Sequence, residues 1–261
     1  MYFDSHAHYD DKRFDPDRSE LLKSFPEQGI VGVINVGASM ASSHNSVALA
    51  EKYHYIYATV GVHPHDASDI IEDDMEVLRN LCTHKKVVGV GEIGLDFHYD
   101  NSPRDQQRKW FAKQLELARS LNMPVVIHSR EAAAETLKMI KDSGITRGVL
   151  HCYSGHLPMA LEYIDMGFYI GIGGVITYKN ANKTQEVAAK IPLDRLLIET
   201  DAPYLTPIAE ERVGGSHKKR KERNDSTKLS YVAETIAKLR NITPEDVAEA
   251  TAENVRRLFR I

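Results

Sequence analysis

The chain has 261 residues, 42% of them apolar and 27% charged, with a formal net charge of -4. That composition excludes a disordered or fibrous polypeptide. The slight acidity excludes a whole-surface attraction to nucleic acid, so any such contact must come from a local basic patch. Cys82 and Cys152 cannot build a disulfide framework, no apolar run approaches the ~20 residues of a membrane span, and no signal-peptide pattern is present, so a cytoplasmic protein is expected.

In chain order, a short apolar run from Met1 enters Asp4-Ser5-His6-Ala7-His8. In an extended strand residues i and i+2 share a face, so His6 and His8 can aim two imidazoles at one point. A helical pattern through Leu21, Leu22 and Phe25 ends at Gly29, and the β-branched run Ile30 to Gly37 follows. A helix is expected over 42–53, a strand over 55–62 ending in His63-Pro64-His65-Asp66, and a helix over 74–82. Val87 to Glu92 is the next strand, and a long helix over 103–122 carries Trp110, Phe111, Leu115 and Ala118. Pro124 to His128 and Gly148 to Cys152 are strands reaching His, each followed by a helix closed by a glycine, Gly144 and Gly167. Phe168 to Ile172, a helix over 182–190, and a last strand, Arg195 to Asp201, complete the alternation. Helices near 229–239 and 244–258 close it, the second with Thr243 as N-cap and Pro244 at the first helical position.

About eight strands, each followed by a helical pattern, imply parallel strands joined by crossover helices. Eight such units in this length fit an α/β fold of the (β/α)8 TIM-barrel type, with an open doubly wound sheet as the alternative. An open sheet gathers its ligand groups at one switch point, whereas metal-type residues here end the first, fourth, fifth, sixth and eighth strands. Only a closed barrel brings those ends to one mouth. No internal repeat, low-complexity tract or boundary divides residues 1–261, which read as one domain.

The strand ends supply His6, His8, Glu92, His128, His151 and Asp201. One metal takes three or four protein ligands, so four imidazoles and two carboxylates suit two cations sharing a bridge. A carboxylate bridges naturally because it has two oxygens, and Glu92 lies on the middle strand of the set. Cys152, on the opposite face from His151, and Cys82 read as buried core thiols.

These residues resemble the TatD-related metal-dependent deoxyribonucleases, a branch of the amidohydrolase-type barrels. The resemblance runs through Ser5-His6-Ala7-His8, Gly61-Val62-His63-Pro64, Gly91-Glu92-Ile93-Gly94-Leu95-Asp96, Pro124 to Arg130, His151-Cys152-Tyr153-Ser154-Gly155, and Glu199-Thr200-Asp201-Ala202-Pro203-Tyr204-Leu205. It implies that His6, His8, Glu92 and Asp201 hold one metal, and that Glu92 also reaches a second metal completed by His128 and His151. It implies Glu92 in place of the carboxylated lysine that many amidohydrolases use. One departure is Ser226, where the family usually has proline.

The expected reaction is phosphodiester hydrolysis of DNA, with Asp201 and Glu92 at the catalytic centre and the ends of single strands, 3′ ends above all, as substrate. Asp201 is the candidate base. His63 is the candidate donor to phosphate or to the leaving oxygen, and Arg130 a candidate phosphate grip. After the last strand Arg212, Lys218, Lys219, Arg220, Lys221 and Arg223 form a basic loop on the expected catalytic face, and Tyr153, Tyr178 and Tyr204 follow strand ends where they can stack bases. The cations can be Mg, Mn, Zn, Fe or Co. Nothing in the pattern calls for a membrane or an obligate protein partner. The competing activities are hydrolysis of a small amide, ester or lactone, and metal-holding nucleic-acid binding without catalysis.

Overall fold

In a computed structural model that describes residues 1–208 and 222–261, eight strands form one parallel sheet in sequence order. The strands are β1 (Tyr2–Ala7), β2 (Ile30–Val36), β3 (Ile56–Val60), β4 (Val87–Asp96), β5 (Val125–Arg130), β6 (Gly148–Leu150), β7 (Tyr169–Ile172) and β8 (Leu196–Ile198). The crossovers carry α1 (Arg18–Ser24), α2 (Met40–Lys52), α3 (Glu72–Leu81), α4 (Arg104–Ser120), α5 (Ala133–Ser143), α6 (Leu157–Asp165) and α7 (Asn182–Lys190), and α8 (Leu229–Arg240) and α9 (Pro244–Phe259) follow β8. This is the (β/α)8 barrel that the strand–helix alternation requires. No helix among the described residues is long and apolar enough to cross a membrane.

Local chemistry sets the boundaries. Thr243 accepts from Asp246 N while Asp246 reaches back to Thr243 N, a capping box that starts α9 with Pro244 in its first turn. Gly144 ends α5 at φ 72°, a left-handed cap that glycine adopts without a Cβ penalty. Phe3, Ile34, Val88, Val126, Val149, Tyr169 and Leu197 pack inside the barrel toward its strand starts, and Val255, Leu258 and Phe259 of α9 close that end beneath them. The hydrophobic stretch is therefore the floor, and the polar strand ends form the mouth.

The seam is where the structure departs from a simple reading of eight equal strands. β8 is only three residues long, and Asp201 lies beyond it with φ 56°. The barrel closes by a bridge between Ala7 and Ala202, with His8 N donating to Ala202 O and Asp201 N to His6 O. Below the bridge, buried Asp4 accepts from Thr200 Oγ1 and from Ser226 Oγ, both at 2.6 Å. Ser226 N also donates to Tyr9 Oη at 2.7 Å. Proline has no such N–H, so the serine at 226 gives this loop a tie that the usual residue would not supply.

Candidate metal centre

Glu92 stands 4% exposed in the middle of the mouth, with a different group of donors at each of its oxygens. Its Oε2 lies 3.4 Å from His6 Nε2 and 3.6 Å from His8 Nε2. Asp201 Oδ1 is 3.7 and 3.5 Å from the same two nitrogens, which are 3.1 Å from each other. Its Oε1 lies 2.8 Å from His151 Nε2, 3.0 Å from His128 Nδ1 and 3.4 Å from His63 Nε2. The strand-end residues expected to meet do meet, and His63 joins them.

Backbone and carboxylate partners set which imidazole nitrogens are free. His8 Nδ1 donates to Val36 O at 2.8 Å, so in the neutral ring Nε2 carries the lone pair facing Glu92 and Asp201. His128 Nε2 donates to Asp96 Oδ2 at 3.0 Å, which leaves Nδ1 facing Glu92. His151 presents Nε2 to Glu92 with Nδ1 3.5 Å from Glu199 Oε1. His63 is wired the other way. Its Nδ1 accepts from His65 N at 3.1 Å, so the neutral ring carries its proton on Nε2 and offers Glu92 a hydrogen instead of a lone pair. Although His63, Glu92 and His128 lie within metal-sharing range, the tautomer makes His63 a proton donor beside the cluster.

Asp96 and Glu199 are supporting carboxylates that strand-end reading overlooked. Asp96 is fully buried and accepts from His128 and His65 through Oδ2, and from His98 N and Tyr99 N through Oδ1. Glu199 accepts from Cys152 N at 2.5 Å. The signal for both was period two: Asp96 continues the alternation from Glu92, and Glu199 precedes Asp201 by two. Two glycines make room. A Cβ at Gly94, φ 148°, would lie 1.9 Å from His128 O, and one at Gly171 would lie 2.5 Å from Glu199 Oε2.

The donor set fits divalent cations. Nitrogen and oxygen donors about 2.0–2.2 Å from a tetrahedral ion must stand about 3.3–3.6 Å apart. The separations around Glu92 Oε2 span 3.1–3.7 Å. Among the described residues, buried His6 Nδ1, His151 Nδ1 and Glu199 Oε2 have no hydrogen-bond partner, so polar capacity inside the mouth is left unsaturated by them. Electrostatics agree. Burial pushes the Glu92 carboxyl up, but His151, His63 and His128 outweigh it and hold it well below the carboxylate range. Burial works against charging His8, yet Asp201 and Glu92 raise it to about 9. Burial and the surrounding imidazoles press His63 well below its ordinary value, against Glu92.

A cavity of about 900 Å³ opens above these donors. Arg130 lines it, is exposed, and makes no ion pair among the described residues; its guanidinium stacks 4.7 Å from the Tyr99 ring centre. Tyr204 is 46% exposed at the opposite rim. Tyr153 lines the cavity but is 8% exposed, its ring against Tyr163 and its hydroxyl donating to His156 O, so it belongs to the wall. Tyr178 is half-buried and donates to Thr206 O. Lys218, Lys219 and Arg220, with Arg212 and Lys221, lie outside the described residues. Arg223 is committed to Asp17 at 2.5 Å and stacks on Phe14, a structural role. Cys152 is a correction. It lies past the end of β6 at φ 45° and lines the cavity, because the chain leaves strand geometry at His151. Burial and the neighbouring carboxylates push its thiol well above the usual range, which keeps it a poor nucleophile. Cys82 packs against the core at the end of α3.

The sequence profile described as TatD related DNase matches residues 3–260. An uncharacterized metal-dependent hydrolase of Bacillus subtilis, YabD, is 40% identical over the full length of both chains. An Erwinia tasmaniensis protein named 3′-5′ ssDNA/RNA exonuclease TatD is 34% identical over 99% of this chain and 100% of its own. The crystal structure of YJJV, a TatD homologue from Escherichia coli, superposes with a TM-score of 0.90 at 32% identity, covering 100% of this chain and 98% of that one. With the barrel, the Glu92-centred donors and these full-length matches together, the chain belongs to the TatD family of metal-dependent hydrolases.

Proposed function

We propose that the chain is a divalent-metal-dependent nuclease that trims single-stranded DNA from its 3′ end. The observation that carries this reading is the division of Glu92 between two donor sets, His6, His8 and Asp201 at Oε2, and His128 and His151 at Oε1. Two cations held there supply Lewis acidity toward a phosphoryl oxygen and acidify a water to the neutral range. The chain's own groups do the rest. Asp201, with burial outweighed by His8, His151 and His6, stays ionised and accepts the water's proton. His63 Nε2–H faces the cluster and hydrogen-bonds a non-bridging oxygen or protonates the departing 3′ oxygen. Arg130, without a carboxylate partner among the described residues, pairs with an adjacent phosphate. The open mouth admits a chain, and relatives of similar length carry nuclease names.

The test incubates the full chain with Mg²⁺, Mn²⁺, Co²⁺ or Zn²⁺ and 5′-labelled single-stranded DNA, with RNA, lactones and amides in parallel. A ladder shortening from the 3′ end is expected, and Asp201→Asn should remove most of it at unchanged fold. No phosphodiester cleavage with any metal, or turnover of a lactone or amide alone, would overturn the reading.

A further inference from the structure

Of the seven Phe, one Trp and twelve Tyr, only Tyr99 and Tyr204 are exposed, at 54% and 46%, and both line the cavity over the donor cluster. Buried aromatics need no special account, but two wet rings placed only here do. They stand after β4 and β8, four strands apart in a closed ring of eight, so they face each other across the mouth.

Their surroundings repeat. Tyr99 N donates to Asp96 Oδ1 at 2.9 Å, and Tyr204 N donates to Asp201 O at 2.8 Å, so each backbone is tied to an acidic residue of the centre. A guanidinium stacks on each ring, Arg130 at 4.7 Å from Tyr99 and Arg13 at 4.0 Å from Tyr204. An imidazole meets each ring nearly at right angles, His65 at 5.4 Å for Tyr99 and His8 at 6.2 Å for Tyr204. Arg13 is in turn fixed by Asp11 at 2.8 Å. About half of each residue remains exposed, and both line the cavity. A flat, partly exposed π-surface with a cation stacked on it is a platform for a nucleobase.

We infer that Tyr99 and Tyr204 are two base-stacking platforms that receive the nucleobases on either side of the scissile phosphate, one each, so that the phosphate lies across the donors between them. The inference rests on the nuclease reading and specifies its substrate: a strand whose adjacent bases are unpaired and splayed apart. A paired duplex end cannot offer both faces, and a mononucleotide diester fills only one platform. Stacking accepts every base, so little sequence preference follows.

The experiment measures kcat/KM on single-stranded oligonucleotides with an abasic tetrahydrofuran residue immediately 3′ or immediately 5′ of the scissile phosphate, for wild type, Tyr99→Ala, Tyr204→Ala and the two Tyr→Phe variants. Each abasic residue should lower wild-type kcat/KM by roughly 5- to 150-fold. Tyr99→Ala should erase the penalty at one position and Tyr204→Ala at the other, while both Phe variants keep both penalties. Intact and abasic strands cleaved equally by wild type, penalties unchanged in both Ala variants, or both variants erasing the same penalty would overturn it. Loss of the penalties in the Phe variants would do so too, by assigning the effect to the hydroxyls. Those results leave the nuclease reading standing, whereas wild type that cleaves no strand at all removes both.

Discussion

The two sides of Glu92 bring similar imidazoles to a shared carboxylate but hold them by different means. On the Oε2 side, His8 is backed by the neutral carbonyl of Val36, and the extra negative charge, Asp201, sits among the donors themselves. On the Oε1 side the further charge stands at the far ring nitrogens, in Asp96 behind His128 and Glu199 beside His151. A carboxylate behind an imidazole fixes its tautomer and raises its basicity as a ligand. Negative charge beyond Glu92 is therefore available to both sides, from one carboxylate in contact on the first and from two relayed through rings on the second. On the mechanism proposed above, the difference separates a side that carries the base, Asp201, from a side whose imidazoles are held from behind.

Glu92→Gln attacks what the sides share and should do the most damage. Activity should fall on the order of 10³-fold or more, as expected when the central electrostatic group of a site is neutralised. Bound metal, measured by plasma mass spectrometry, should drop on both sides; retention of a full metal complement would break the picture of a shared carboxylate. His63→Gln should lower kcat by about 10²-fold, the usual range for a lost proton donor, while metal content stays at the wild-type level. A matching loss of metal would make His63 a ligand and reverse the tautomer argument. Asp96→Asn should weaken one binding step by about 10–100-fold and leave the other in place, visible as a split isotherm. Uniform weakening of both steps would erase the distinction between the sides.

The same contrast has a pH signature. In the metal-free protein burial lowers the basicity of His151, but Glu92 and Glu199 outweigh it and raise the ring well above its ordinary value, so it holds a proton at neutral pH. Metal loading must displace that proton, so apparent affinity should rise with pH and titrations in buffers of different ionisation enthalpy should report proton release. The smallest effect concerns a group outside the comparison. Burial pushes the Cys82 thiol up to about 12, so at pH 8 it is almost wholly protonated and should react with a thiol reagent far more slowly than a free cysteine until the chain unfolds.

The donors were legible in the sequence because parallel strands place their C-terminal residues at one mouth, and a His or Asp after a β-branched run announces itself. The supporting residues were harder to read for a physical reason. Asp96 and Glu199 have no pattern of their own; their role depends on which strand lies beside them, and only the register of β4 with β5, Gly94 against His128, sets Asp96 behind that imidazole. β4 also extends to Asp96, whereas the reading stopped it at Glu92. At the sixth and eighth strands the expected ends overran the true ones, since His151, Cys152 and Asp201 look like strand continuation but occupy turns. Tyr99 went unread because exposure, not residue type, distinguishes it from the buried tyrosines.

The seam between β1 and β8 makes the centre a reporter of complete folding. Asp4 and Thr200, 196 positions apart, bond directly, and His6 of β1 accepts through its carbonyl from the N–H of Asp201 just past β8. A chain emerging from the ribosome presents His6 and His8 early and Asp201 only after all eight strands have been made. No partly folded barrel can assemble the Oε2 donors, because the loop they close is nearly the whole chain. A cation bound there selects the closed ring over every open intermediate, and its free energy of binding adds to the stability of the whole barrel at once.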